Sequence, residues 1–188
     1  LKGYCSFNYY FKFIFKIKLF YMDHELSKYW TQSKIIIKAN LEEVWSLLSE
    51  ESHLELVHPF CKSHRKIVWN NQKKIDELTY LNGLTYKRTF YSWQKNKGFK
   101  LMIGKEKGKK SRVEWEIKAL NEMTELKIKV TPYISAKFNI KIYYFLLRIY
   151  ILPKLRKYLN YVNMGIKFYL EEKTPVKNNQ FGKHKYFS

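Results

Sequence analysis

The stretch NIKIYYFLLRIYILPKLRKYLNYVNMGIKFYL, residues 139–170, decides how the rest of the chain is read. Ile140, Tyr144, Leu147, Ile151, Leu155, Tyr158, Val162, Ile166 and Tyr169 follow one another in steps of three and four. That spacing lays one apolar stripe along a long helix. Pro153 lacks an N–H, so the helix either kinks there or starts anew. Before Pro153 the segment is apolar nearly all round, with Ile142, Phe145, Leu146 and Ile149 off the stripe and only Lys141 and Arg148 as a polar edge. Beyond Pro153 it becomes two-faced, with Lys154, Arg156, Asn160, Asn163 and Lys167 off the stripe. The first half therefore offers more apolar surface than one sheet covers, which predicts a further contact with a membrane surface, a second chain or a ligand.

Upstream, everything reads as short elements. Residues 33–39 (SKIIIKA) form a β-branched strand. Asn40 caps a helix over 41–49, with Glu42 and Glu43 in its first turn and Val44, Trp45 and Leu48 on its buried face. A second short helix over 50–57 ends before Pro59. Strands follow over 65–69, 74–81, 84–93, 99–104, 112–120 and 126–130. Asn82-Gly83 is a strong hairpin signal, and a two-residue loop there pairs Leu81 with Leu84, Thr79 with Tyr86, Glu77 with Arg88 and Ile75 with Phe90, all on the inner face. Phe99, Leu101 and Ile103 point inward, as do Val113, Trp115, Ile117 and Ala119; Trp93 has outward parity unless a bulge intervenes. The order β, α, α, six antiparallel strands and a long helix predicts an α+β helix-grip fold, a curved antiparallel sheet wrapped around a long C-terminal helix with a cavity between them.

The 188 residues suit one domain with a substantial core. A hydrophobic content of 46% and an aromatic content of 18% exclude disorder. The formal net charge of +20 attracts anionic lipid or polyanions. Lys, Ile, Asn, Tyr and Phe are abundant together, as AT-rich coding favours, and no nucleic-acid motif accompanies the charge, so no specific nucleic-acid partner is expected. Cys5 and Cys61 are too few for a disulfide framework, which suits a reducing, cytoplasmic setting. The apolar opening over 7–21 is cut by Lys12, Lys16 and Lys18 and is too short to span a bilayer. Residues 1–31 read as an extension, with Met22 as the expected biological start; 32–172 form the domain and 173–188 a tail.

Three blocks carry a family resemblance: SKIIIKANLEEVWSLLSEESHLELVHPF (33–60), DELTYLNGLTYKRTFYSW (76–93) and YLNYVNMGIKFYLEEKTPVKNNQFGKHKYFS (158–188). Together they resemble the START-like (SRPBCC) superfamily in its polyketide cyclase/dehydrase and lipid-transport branch. The resemblance implies a cavity for a hydrophobic small molecule or lipid, and an ending packed back on the sheet or the mouth. It implies no particular reaction, since the superfamily holds carriers, sensors and enzymes.

Candidate site residues follow from parity. Glu77 and Arg88 form an inward charge pair among apolar neighbours and bond each other or a ligand head group. Tyr86 and Trp115 have cavity-wall parity, His58 lines the mouth, and Tyr158 faces the cavity from the helix. His58, Cys61 and His64 share a zinc-like spacing, but the run leaves a helix through Pro59 and enters a strand, so no metal and no cofactor are expected. Nothing resembles a nucleophile motif or a phosphate-cradling loop. The expected function is binding of a hydrophobic molecule as carrier or sensor, with peripheral docking to anionic membrane through Ile142, Phe145, Leu146 and Ile149. That docking draws on the acid-free stretch 126–170. The alternatives are a cyclase- or hydratase-like enzyme using Glu77, Arg88 and His58, and a structural protein binding a partner through the exposed helix face.

Overall fold

A computed structural model describes residues 29–133 and 140–188. The readings of the opening 28 residues, Cys5 and Met22 among them, lie outside the described residues, as do residues 134–139 and the side chains at 140 and 141. The elements run β1 (Thr31–Ile37), α1 (Leu41–Ser49), α2 (Leu54–Val57), β2 (Cys61–Trp69), β3 (Lys74–Tyr80), β4 (Thr85–Gln94), β5 (Gly98–Gly104), β6 (Ser111–Leu120), β7 (Met123–Thr131), α3 (Ile140–Leu146), a wide turn (Leu147–Ile151) and α4 (Leu152–Glu172). All seven strands form one antiparallel sheet in the order β1-β7-β6-β5-β4-β3-β2. The sheet curves around α4, giving the α+β helix-grip architecture.

Local chemistry explains the elements. Asn40 accepts from Glu43 N–H at 3.0 Å, while the Glu43 carboxylate accepts from Asn40 N–H, a full capping box for α1. Val44, Trp45, Leu47 and Leu48 of α1 are buried. The core runs from Ile37 and Leu48 through Phe99, Leu101, Leu126 and Ile128 to Leu159, Val162 and Ile166 of α4. Ala119, expected inside, is exposed near the far end of β6.

Three departures from the sequence reading matter for the site. First, the β3–β4 hairpin has a three-residue loop, not two. Gly83 sits at φ +83°, its N–H bonds Tyr80 C=O, and Tyr80 N–H bonds Leu84 C=O. The extra loop residue slips the register by one, so Leu78 faces Tyr86 and Asp76 faces Arg88. A one-residue slip turns a whole strand over. Asp76, Leu78 and Tyr80 therefore point inward, and Glu77 points out.

Second, β4 carries an irregularity between Phe90 and Ser92, which brings Trp93 inward to stack on Phe99 at 5.0 Å. Third, the long helix is not continuous. Pro153 lies in the first turn of α4, and before it Leu152 N–H reaches back five residues to Leu147 C=O. The wider turn reroutes the backbone bonds that the missing proline donor would have broken. At the other end Lys173 adopts φ +53° and closes α4 with a bond to Tyr169 C=O.

Candidate functional site

A cavity of about 690 Å³ lies between the inner face of the sheet and the C-terminal helical segment. Leu78, Leu101, Ile103, Val113, Trp115, Ile128 and Val130 supply its sheet wall, and Ile151, Leu155, Leu159 and Val162 its helix wall. These are the inward positions of an alternating sheet and the inner stripe of a helix, so the apolar lining follows from periodicity. The lining includes exposed Lys105 and Lys109 of the β5–β6 turn. Tyr143 of α3 and Tyr133 also contribute, joined by a 2.7 Å bond from the Tyr143 hydroxyl to Tyr133 C=O.

Polar groups gather in two connected sets. Phe60 N–H donates to His58 Nδ1 at 3.2 Å, which leaves the proton on Nε2. That Nε2 lies 2.8 Å from the Tyr158 hydroxyl and donates to it. The Tyr80 and Tyr158 hydroxyls are 3.2 Å apart. Burial, with the Arg88 charge adding, pushes His58 down from its ordinary value to about 3. Burial raises the Tyr80 and Tyr158 phenols above theirs, so both keep their protons near neutral pH.

Behind this set, Arg88 lines the cavity while Asp76 and His64 back it. Arg88 Nε is 3.3 Å from Asp76 Oδ1, and His64 Nε2 is 3.0 Å from Asp76 Oδ2. All three residues are at least 96% buried. Arg88 Nη2 is buried without a hydrogen-bond partner. The guanidinium also sits 5.2 Å over the Phe90 ring.

Of the residues singled out from sequence, Arg88, Tyr86, Trp115, His58 and Tyr158 line the cavity together. Glu77 does not: its carboxylate bonds Arg65 at 2.6 Å on the outer face. The expected Glu77–Arg88 pair is corrected to Asp76–Arg88, and the hairpin register is the cause. The zinc-like spacing is also dispersed, since His58 bonds Tyr158 while His64 turns to Asp76. Ile142, Phe145 and Ile149 are exposed by 56%, 62% and 58%, and Leu146 is half-buried. The acid-free run is not acid-free in space: Lys127 and Lys129 pair with Glu116 and Glu114 of β6, and Lys167 with Glu171.

Sequence reasoning missed Tyr80, Asp76 and Phe187. The first two would have followed from the large apolar pair Leu78 and Tyr80 sharing one parity of β3. Phe187 had no periodic signal. Its ring lies 4.5 Å from those of both Tyr80 and Tyr158 and lines the cavity. The segment carrying it is tied down by Val176 N–H to Leu56 C=O, Asn179 N–H to Pro59 C=O and the Asn82 side-chain amide to Tyr186 C=O.

No family model matches the chain, and no curated protein matches it by sequence. Solved structures do. A START superfamily protein from Mycobacterium smegmatis superposes with a TM-score of 0.58 at 14% identity, over 77% of this chain and 99% of that one. DynU16, a putative protein of the dynemicin biosynthetic locus, gives 0.60 at 12% identity over 80% of this chain and 50% of its own. The di-domain ARO/CYC StfQ of the steffimycin biosynthetic pathway gives 0.58 at 11% identity over 77% and 51%. The chain thus spans about half the length of the last two. At these identities the likeness is one of architecture, and the fold of this chain is the START-like (SRPBCC) helix-grip fold.

Proposed function

We propose that this protein binds a hydrophobic small molecule or lipid in the cavity between sheet and C-terminal helix, as a carrier or sensor. The observation that carries this reading is a cavity of about 690 Å³ walled mainly by aliphatic and aromatic side chains. Ligand sites of small molecules fall in that size range and have that kind of wall. The ligand-facing residues in this reading are Arg88, Tyr86, Trp115, His58 and Tyr158, joined by Tyr80 and Phe187. Native mass spectrometry of the protein purified from its own cells is the test. A hydrophobic molecule released at one per chain is expected; protein that emerges empty and takes up no apolar probe overturns the reading.

The helical segment beside the cavity supports a second part of the proposal, docking to an anionic membrane. Ile142, Phe145 and Ile149 project outward from the segment whose Tyr143 and Ile151 line the cavity, and Arg148 is exposed among them. Exposed Lys105, Lys107 and Lys109 of the β5–β6 turn add positive charge, two of them at the lining itself. An apolar cluster with flanking cations suits the interface of anionic lipid. Flotation with phosphatidylserine-containing vesicles at low salt should retain the wild type and release Phe145→Ser/Ile149→Ser. Equal flotation of both proteins, or of neither, sinks the docking part.

The competing reading is a cyclase- or hydratase-like enzyme in the same cavity, and the His58–Tyr158–Tyr80 chain is what favours it. Its expected acid–base set does not assemble, because Glu77 lies on the outer face. No Asp or Glu side chain stands among the described residues of the lining. The carrier reading needs no such group.

A further inference from the structure

Where the sheet carries lysines it also carries acids: Lys34, Lys100, Lys127 and Lys129 each pair with a glutamate of a neighbouring strand. The outer side of α4 is different. Residues 126–170 and 173–188 hold no Asp or Glu, and the tail folds along the helix and adds its own lysines. The Phe181 ring lies 6.3 Å from that of Phe168, Gly182 abuts the Tyr161 hydroxyl, His184 Nε2 donates to Lys154 C=O at 3.1 Å, and Tyr186 bonds Tyr150. The tail therefore runs antiparallel to the helical segment. Burial and the charges of Lys154 and Lys157 hold His184 below its ordinary value, so both lysines stand beside the tail. Lys183 and Lys185 are exposed on either side of buried His184. None of the ion pairs among the described residues includes Lys154, Lys157, Lys183 or Lys185. Gathering like charges without acids is unfavourable, and an anion bound among them relieves it.

The donors converge on Tyr150. Lys154 Nζ stands 5.9 Å over its ring, Lys185 Nζ lies 3.5 Å from its oxygen, and the Tyr186 hydroxyl donates to that oxygen at 2.9 Å. The bonds from Tyr186 and Lys185 hold the Tyr150 phenol below its ordinary value, so the spot favours negative charge. With its oxygen accepting from both, Tyr150 keeps its own O–H to donate elsewhere. Its chain neighbour Ile149 is 58% exposed and belongs to the apolar cluster beside the cavity. The cationic spot thus borders apolar surface, as a lipid head group at a bilayer interface requires and a soluble polyanion such as RNA does not.

We infer that Lys154, Lys185, Tyr150 and Tyr186 form a second binding site, outside the cavity, for the phosphomonoester head group of a membrane lipid. It rests on the docking part of the proposal and gives that docking a lipid class. A phosphomonoester carries about −1.5 to −2 charge near neutral pH and three acceptor oxygens. It can meet both ammonium groups and the Tyr150 O–H together, whereas a phosphodiester has less charge and fewer free oxygens to share among them. Lys157 and Lys183 flank the site and add attraction without choosing the head group.

The test is flotation of the full chain with phosphatidylcholine vesicles containing either phosphatidic acid or phosphatidylglycerol, the two brought to equal zeta potential. Wild type should bind the phosphatidic acid vesicles about threefold or more tighter. Lys154→Gln/Lys185→Gln should lose that preference while still floating on both. Lys95→Gln/Lys97→Gln removes the same charge from the exposed β4–β5 turn and should keep it. Equal flotation of wild type on the two vesicles overturns the inference and leaves docking intact. So does a preference that survives in Lys154→Gln/Lys185→Gln, or one lost equally in Lys95→Gln/Lys97→Gln. A parallel titration with single-stranded oligouridylate covers the other polyanion. RNA binding that Lys154→Gln/Lys185→Gln weakens, with no preference between the lipids, assigns the patch to nucleic acid and overturns the inference. Flotation on neither vesicle removes the docking reading and the inference with it.

Discussion

Asp76 and Glu77 are neighbours in the chain and opposites in environment. Asp76 is 1% exposed and faces Arg88 and His64, whereas Glu77 bonds an Arg65 side chain that is 76% exposed. Removing one partner of a buried pair strands the other charge, while a surface pair contributes little. Asp76→Ala should therefore cost about 3–5 kcal/mol in urea unfolding and Glu77→Ala about 0–1 kcal/mol. The reverse order would mean that the hairpin register is wrong. Two of the buried histidines, His53 and His58, carry a pH dependence of known sign. Burial lowers both His53 and His58 from 6.5 to about 3. Unfolded chain takes up their protons below about pH 6.5 and folded chain does not until about pH 3, so stability is full above pH 6.5 and falls between those limits. The slope should approach about 1.4 kcal/mol per pH unit for each ring. His53→Gln should remove roughly half of that slope in denaturation series at stepped pH. None of this was visible from residue type: five histidines look alike until the fold decides which are enclosed.

At the level of elements, the parts written in local periodicity were legible and those set by a single residue were not. Alternation along β5 and β6 identified Phe99, Leu101, Val113 and Trp115 as inward, and the capping residues placed α1 to the residue. The hairpin signal Asn82-Gly83 located the β3–β4 turn, yet loop length decides the face of β3, and Asn-Gly serves both two- and three-residue loops. In the long helix the stripe was read through Pro153 as one phase. The wide turn at Leu147–Ile151 resets that phase, which is why Tyr143 is buried where Tyr144 was expected. Gly165 marks a close approach of α4 to the end of α2. A Cβ there would lie 2.0 Å from Val57 C=O, a contact no side-chain rotation relieves. Gly165→Ala should cost about 1–3 kcal/mol through forced separation of α4 from α2, whereas Met164→Ala, at a position 40% exposed, should stay within about 0.5 kcal/mol. Thermal melts of the two variants side by side check this.

For the molecule as a whole, contacts distant in sequence were the least legible. The tail over 173–188 has neither apolar period nor turn signature, yet Phe187 completes the cavity wall between Tyr80 and Tyr158. Phe187→Ala should loosen that segment, so trypsin should cut at exposed Lys177, Lys183 and Lys185 several-fold faster than in the wild type while the sheet stays resistant. Unchanged cleavage would show that the backbone ties alone hold the tail. The order of the sheet has a consequence of a different kind, in time. Among the described residues β1 bonds only to β7, with Ile35 opposite Leu126, 91 residues further on. During synthesis at about 5–20 residues per second, the Ile35-Ile36-Ile37 strand emerges and waits roughly 5–20 s for its mate. Over that interval it is an unpaired, β-branched edge of the sort other nascent chains add to. A chaperone bound early to this segment would shield that edge until β7 emerges.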